Sequence, residues 1–166
     1  STPNFWNAVW DFFNIIGTKG NKPFIEPLNK MPGSKFFPRG KVNYAQNMLS
    51  GDNTGLAIVF KSEDKIRREL TWVELNSEVA ALAKFLKEHG IVKGDRVAAY
   101  MPNMPETVVM MLATSSLGAI FSSASPDFGV EGVLDRFGQI EPKILITTDG
   151  YWYNGKEVKI DDKVLN

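Results

Sequence analysis

Cysteine is absent from this 166-residue sequence, and histidine occurs once, as His89. The first absence removes disulfides, thiolate nucleophiles and cysteine-ligated metal. The second leaves no material for a histidine metal site or a Ser–His engine. Net charge is missing too, because 19 Lys and Arg balance 19 Asp and Glu. No broad field therefore draws the chain to nucleic acid or to an anionic membrane. No stretch reaches the ~18 apolar residues of a membrane span, and no secretory signal pattern is visible. The expected compartment is the cytoplasm, with no nucleic acid partner and no membrane insertion. There is no G-x-G-x-x-G, so the dinucleotide fingerprint is absent.

What is present is ordinary globular material, 43% apolar and 23% charged, long enough to bury a real core. The ends predict a piece of something larger. Ser1 is no initiator, the sequence stops at Asn166 within a stretch that starts to read as helix, and parallel strands need cover on both faces.

The organising stretch is DRVAAYMPNMPETVVMMLATSSLGAIFSSASP, residues 95–126. A short apolar run over 96–101 predicts a buried strand. Asn103, Pro105 and Glu106 then predict a helix start: Asn103 in an N-x-x-E capping pattern with Glu106, Pro105 where a missing N–H costs nothing. The helix is apolar on nearly every face, Gly118 stops it, and 119–124 resumes as a second strand. The unit is a right-handed βαβ crossover with parallel strands.

Upstream, Thr2 and Pro3 open an aromatic helix, FWNAVWDFFNIIG, with Gly17 as its stop. Such a helix suits a membrane surface or a docking place on a larger body. Its single charge, Asp11, and its lack of Lys or Arg favour the docked reading. Residues 18–39 read as an irregular connection. Residues 56–60 and 66–70 predict a hairpin around a charged loop. Thr71 and Glu74 form a T-x-x-E capping box before the stripe Trp72, Leu75, Val79, Leu82, Leu86, which ends at Gly90. His89 falls in the last turn, where a solvated cap fits better than catalysis.

Downstream, Ser125 or Asp127 is expected to cap a helix whose apolar face is Val130, Val133, Leu134, Phe137 and Ile140. Pro142 breaks it, and 143–148 makes a third parallel strand. Strands alternating with helices predict an α/β layered fold.

Three motifs invite chemistry. Gly150 to Lys156 matches G-x-x-x-x-G-K, but Glu157 follows where Mg²⁺ binding wants Ser or Thr, and three aromatics fill the loop. A phosphate loop is rejected there, though Lys156 remains able to meet a phosphate as a point charge. Asp127, Glu131 and Asp135, four apart, read as a solvated helix face rather than acid–base machinery. Ser122, Ser123 and Ser125 follow a central strand toward its carboxyl end, where ligands bind in open α/β sheets. For them, ligand contact and a plain polar cap stand side by side.

The segments GDRVAAYMPNMPETVVMMLATSSLGAIFSSASPDF and LTWVELNSEVAALAKFLKEHGIVK resemble the N-terminal domain of adenylate-forming acyl-CoA synthetases. FPRGKVNYAQNML, SPDFGVEGVLDRFGQIEPKIL, DGYWYNGK and FWNAVWDFF are similar to the acetoacetate-activating branch of that family. The resemblance implies a three-layer α/β fold, a mostly parallel sheet flanked by helices. It implies an N-terminal helix and anchoring segment over 1–50, and the first part of a large adenylation domain over 51–166. It implies a ligase that uses acetoacetate, ATP, Mg²⁺ and CoA as substrates, with the remainder of its own polypeptide as partner. The family's phosphate loop, adenine and ribose motifs and late lysine have no counterpart here, so no catalytic or metal-binding residue is expected. Carried over by position, Phe121, Ser122 and Ser123 border the pantetheine channel. Tyr153 and Lys156 stand where relatives carry two arginines toward the CoA nucleotide, and Tyr153 departs from that pattern. A free-standing, non-catalytic α/β binding or regulatory module is the alternative.

Overall fold

The structure, a computed structural model, describes residues 2–21, 24–25, 32–51 and 54–165. The chain divides into two compact units, Ser1–Met48 and Leu49–Asn166.

In the first unit, α1 spans Thr2–Phe12 and α2 spans Tyr44–Met48. Between them β1 (Gly17–Thr18) pairs antiparallel with β4 (Lys41–Val42), and β2 (Phe24–Ile25) with β3 (Lys35–Phe36). The α1 aromatics dock locally: Trp6 meets Phe36 at 5.9 Å and Trp10 meets Phe37 at 4.9 Å between ring centroids. Lys19 ties the turn back to the helix through Asp11 (2.6 Å) and Asn7 (2.8 Å). The helix ends at Phe12, five residues before the expected stop, and Asn14 takes the left-handed turn at φ 49°. Gly17 has another task. A Cβ there would lie 2.4 Å from the Lys41 carbonyl oxygen, so the β1–β4 pairing requires glycine. Of the connection expected over 18–39, residues 22–23 and 26–31 lie outside the described residues.

The second unit opens with the expected hairpin, β5 (Leu56–Ser62) against β6 (Ile66–Thr71). It runs straight into α3, Trp72–Glu88, through the expected capping box. The Glu74 amide donates to Thr71 Oγ1 (3.2 Å), and the Thr71 amide to Glu74 Oε2 (2.8 Å). The Thr71 amide, more than its hydroxyl, holds the Glu74 carboxyl below its ordinary pKa. Leu75, Val79 and Leu86 bury the stripe, and Gly90 leaves the helix at φ 77°. His89 is a cap: exposed, its ring on Phe85 and its Nδ1 2.9 Å from the Phe85 carbonyl.

The central sheet runs β8–β7–β9, all parallel. Here β7 is Arg96–Tyr100, β8 Ile120–Ala124 and β9 Ile144–Thr147, joined by α4 (Pro105–Ser116) and α5 (Val130–Ile140). Alternation along β7 divides the core. Ala99 and Met101 pack with Met110 of α4, with Leu82, Phe121 and Ile146 around them. Ala98 and Tyr100 face the other way, against Ala124, Phe137 and Ile160, with Val133, Ile140 and Tyr151 around them. This is the expected three-layer α/β fold. Two consecutive alanines let both helical layers approach the middle strand, each with 0% exposure. At the amino ends of the strands, Asp95 accepts from the Val92 amide (2.8 Å) and from Lys143 (2.7 Å). The Lys143 hydrogen bond is the larger cause of its lowered carboxyl pKa.

Both of the other expected caps fail. The residue before α4 is Met104, with no side-chain cap, and Asn103 does not serve. Glu106 turns instead to Arg68 of β6. The helix α5 begins only at Val130, after Gly129, so neither Ser125 nor Asp127 caps it. Asp127 therefore lies off the helix face that Glu131 and Asp135 share, and Leu134, expected on the apolar side, is 63% exposed. Glu141, before Pro142, leaves helical geometry at φ 45°. After β9 come a second hairpin, β10 (Gly150–Tyr153) with β11 (Lys156–Lys159), and α6, Asp161–Leu165.

Candidate functional site

The Asn154–Gly155 dipeptide makes the β10–β11 turn. Both residues sit in the left-handed region, φ 51° and 72°, the backbone that tight hairpins need. Gly150 to Lys156 is thus a hairpin, and a phosphate-wrapping loop has no place there. This hairpin and β5–β6 form two walls of a cleft of about 540 Å³, with the residues after β7 as its floor. Phe60 and Arg68 line one wall, Tyr151, Trp152 and Tyr153 the other, and Asn103 and Met104 the base. The volume suits a small molecule, and the place, beyond the carboxyl end of β7, is where open α/β sheets bind ligands. The hairpin tips meet across it: the Gly155 amide donates to Glu63 Oε2 at 2.8 Å, and the Lys65 ammonium lies 5.9 Å from the Trp152 ring centroid. Below them Arg68 pairs with Glu106 through Oε1, and Glu106 Oε2 is buried without a hydrogen bond.

Beside the cleft, residues 125–129 leave β8 in a loop held from three sides. The Tyr100 hydroxyl lies within reach of the carbonyls of Pro126 (2.9 Å) and Phe128 (2.6 Å), and Lys163 donates to the first at 2.9 Å. Asp127 accepts from Tyr151 (2.6 Å) and from Ser125 (2.8 Å). The Tyr151 hydroxyl, then Ser125, holds the Asp127 carboxyl below the usual carboxylate range. In return the Asp127 carboxylate pushes the Tyr151 phenol up to about 12. Burial raises Tyr100.

The sequence profile of the AMP-binding enzyme family matches residues 51–165. The chain belongs to that family. It is 52% identical, over 96% of its length, to an acetoacetyl-coenzyme A synthetase of Rhizobium meliloti, and covers 24% of that protein. It is 42% identical, over 93% of its length, to an acetoacetyl-CoA synthetase of Xenopus tropicalis, again covering 24%. The solved acetoacetyl-CoA synthetase from Streptomyces lividans superposes with a TM-score of 0.88 at 38% identity. That match covers 99% of this chain and 26% of the other. The chain thus spans about a quarter of the length of the curated relatives it matches.

Within this AMP-binding enzyme domain, the five residues singled out from the sequence fall in two places. Phe121, Ser122 and Ser123 are consecutive on β8, so their side chains alternate. Phe121 joins the α4-side core, Ser122, half-buried, points to the α5 side, and Ser123 is exposed. Tyr153 and Lys156 are cross-strand partners flanking the Asn154–Gly155 turn. Tyr153 is 62% exposed and lines the cleft, alone among the five. Among the described residues, no group of three or more His, Asp or Glu is placed to hold a metal, and no helix is long and apolar enough to cross a membrane. The sequence reading missed the Asp127–Tyr151 pair and the Glu63 contact. Asn154-Gly155 after an aromatic run was the available signal for the hairpin that carries Tyr151 and the Gly155 amide.

Proposed function

We propose that this chain forms part of an acid–thiol ligase that joins acetoacetate to CoA at the expense of ATP. The observation that carries the reading is 52% identity to an acetoacetyl-coenzyme A synthetase across 96% of the chain. The AMP-binding family profile supports an acyl-adenylate route. In that route the acetoacetate carboxylate displaces pyrophosphate from ATP, with Mg²⁺ as its counter-ion, and the CoA thiol then expels AMP from the mixed anhydride. Two steps are needed because a carboxylate oxygen leaves poorly and AMP leaves well. A channel that excludes water protects the anhydride until the thiol arrives.

In this reading residues 51–166 supply the first part of the adenylation domain and 1–50 its anchoring segment, with the remainder of the polypeptide as partner. Phe121, Ser122 and Ser123 border the pantetheine path, and Tyr153 and Lys156 meet the nucleotide end of CoA. The cytoplasm is the compartment. Lys156 supports its part by charge and exposure: it stands exposed at the start of β11 and makes no ion pair among the described residues.

A graft tests the function. Placing this chain in the Rhizobium meliloti enzyme, in exchange for the matched quarter, should give a protein that makes acetoacetyl-CoA from acetoacetate, ATP and CoA. The 166 residues alone should release no pyrophosphate, because the family's phosphate loop and late lysine, which position and neutralise the transferring group, have no counterpart in this sequence. A folded graft without thioester product would favour the non-catalytic module. In the active graft, Lys156→Ala should raise the KM for CoA roughly five- to thirtyfold, the loss of one partly screened phosphate contact. ATP–pyrophosphate exchange, which precedes CoA, should keep its rate. An unchanged KM retires the phosphate role, and an equal loss in exchange means general damage.

A further inference from the structure

The turn before Lys156 already has an acidic occupant. Glu63 reaches it from the tip of the opposite hairpin, 92 residues away in sequence, and its Oε2 accepts the Gly155 amide at 2.8 Å. A backbone N–H followed in sequence by an exposed lysine offers the two kinds of donor that bind phosphate oxygens through charge-assisted hydrogen bonds. The carboxylate fills that donor now.

Its setting favours displacement. Glu63 is exposed and sits in a left-handed turn, φ 49°, at the end of a two-stranded hairpin. The other wall is a two-stranded hairpin as well, and the two tips carry this contact in solvent, beyond the paired strands. The contact is exposed to solvent, so an incoming anion can reach the amide as Glu63 leaves it.

We propose that Glu63 is a built-in competitor for the anion site at Gly155–Lys156, which a phosphate-bearing ligand must displace and which thereby opens the cleft between the hairpins. The proposal rests on the reading that the nucleotide end of CoA meets this turn. It adds a residue that sets the affinity of that contact and couples it to the cleft. Glu63 withholds the Gly155 donor and places a negative charge beside the arriving phosphate. Removing that charge strengthens binding, where removing an ordinary structural contact would weaken or spare it.

The test titrates CoA into the isotope-labelled 166-residue chain and follows the Gly155 amide and the Trp152 indole resonances. Glu63→Gln should tighten CoA binding roughly three- to tenfold, the size of one screened like-charge contact. Glu63→Ala, which removes charge and acceptor together, should act in the same direction. Both gains should vanish near 1 M salt, where the screening length is about 3 Å. CoA should move the Gly155 amide in the parent chain, and the indole should respond with it as the hairpins part. Binding by Glu63→Gln and Glu63→Ala no tighter than the parent's overturns the proposal, as does absence of CoA binding in all three. A Gly155 amide unmoved by CoA overturns it as well. Lys156→Ala keeps the two ideas apart. If it binds CoA as the parent does while the Glu63 variants bind more tightly, the competition stands and the phosphate role of Lys156 falls.

Discussion

Replacing Tyr100 by alanine should cost the Leu49–Asn166 unit about 3–5 kcal/mol, the usual loss for a buried aromatic. A domain of this size holds roughly 5–15 kcal/mol in all, so the variant should stand near its unfolding threshold. Tyr100 is 2% exposed in the middle strand and packs against Ala124, Phe137 and Ile160. Its ring is therefore core to the α5 side of the sheet. Its hydroxyl does separate work at the carbonyls of Pro126 and Phe128, 2.9 and 2.6 Å away. Tyr100→Phe keeps the ring and deletes that donor, which should cost about 1–3 kcal/mol because Pro126 is fully buried and its carbonyl keeps, among the described residues, Lys163 alone. Urea titration of the three proteins gives both quantities. Tyr100→Phe within about 0.5 kcal/mol of the parent would mean that the hydroxyl does not hold the loop, leaving Lys163 and Asp127 to do so.

The layered fold was legible because its signals are local and repeat. Apolar runs of strand length alternate with runs of helix length, and the parallel order of β7, β8 and β9 follows from the helical crossovers. The Thr71–Glu74 box was read correctly for the same reason: both partners lie within one turn. The Asn103–Glu106 pattern has identical spacing and failed, since Glu106 is claimed by Arg68, 38 residues away in sequence. Ser125 and Asp127 failed likewise, satisfied by each other and by Tyr151 before the helix begins. A cap motif is a statement about which partner wins, and a distant cation or hydroxyl is invisible in a window of four residues. The aromatic helix shows the reverse error. Gly17 looked like a helix stop but answers to the Lys41 carbonyl across a strand pair.

The cleft was the least legible feature, because its walls are hairpins separated by some ninety residues. The resemblance placed Tyr153 and Lys156 together toward the CoA nucleotide, without the hairpin that carries them. It had no means of bringing Glu63 to the turn between them, nor of joining Tyr151 to Asp127.

That last pair should set the alkaline and acid limits of the unit in opposite directions. The Tyr151 hydroxyl donates to Asp127 at 2.6 Å, and the carboxylate, followed by burial, lifts the phenol from its ordinary 10 to about 12. The protein contains four tyrosines, and a tyrosinate absorbance titration should place the Tyr151 step near 12. Between 10 and 12 the unfolded chain loses a proton that the folded chain keeps. The pair's contribution is therefore complete below the unfolded value and disappears as pH rises through the folded one. Asp127 has the opposite sign. Its folded pKa is depressed, so its contribution is present above the ordinary carboxylate value and is lost as pH falls through the lowered one. Two pH units would be worth about 2.7 kcal/mol for a dry pair, and partial exposure reduces the expected alkaline loss to about 1–2 kcal/mol. Tyr100 is also raised, chiefly by burial, and the variants tell the two apart. Asp127→Asn should bring the Tyr151 step back toward 10 and flatten both flanks of the stability profile, while Tyr151→Phe should delete that step. A late step that survives Tyr151→Phe belongs to Tyr100, whereas a Tyr151 step that stays near 12 in Asp127→Asn would show that the 2.6 Å contact does not hold in solution.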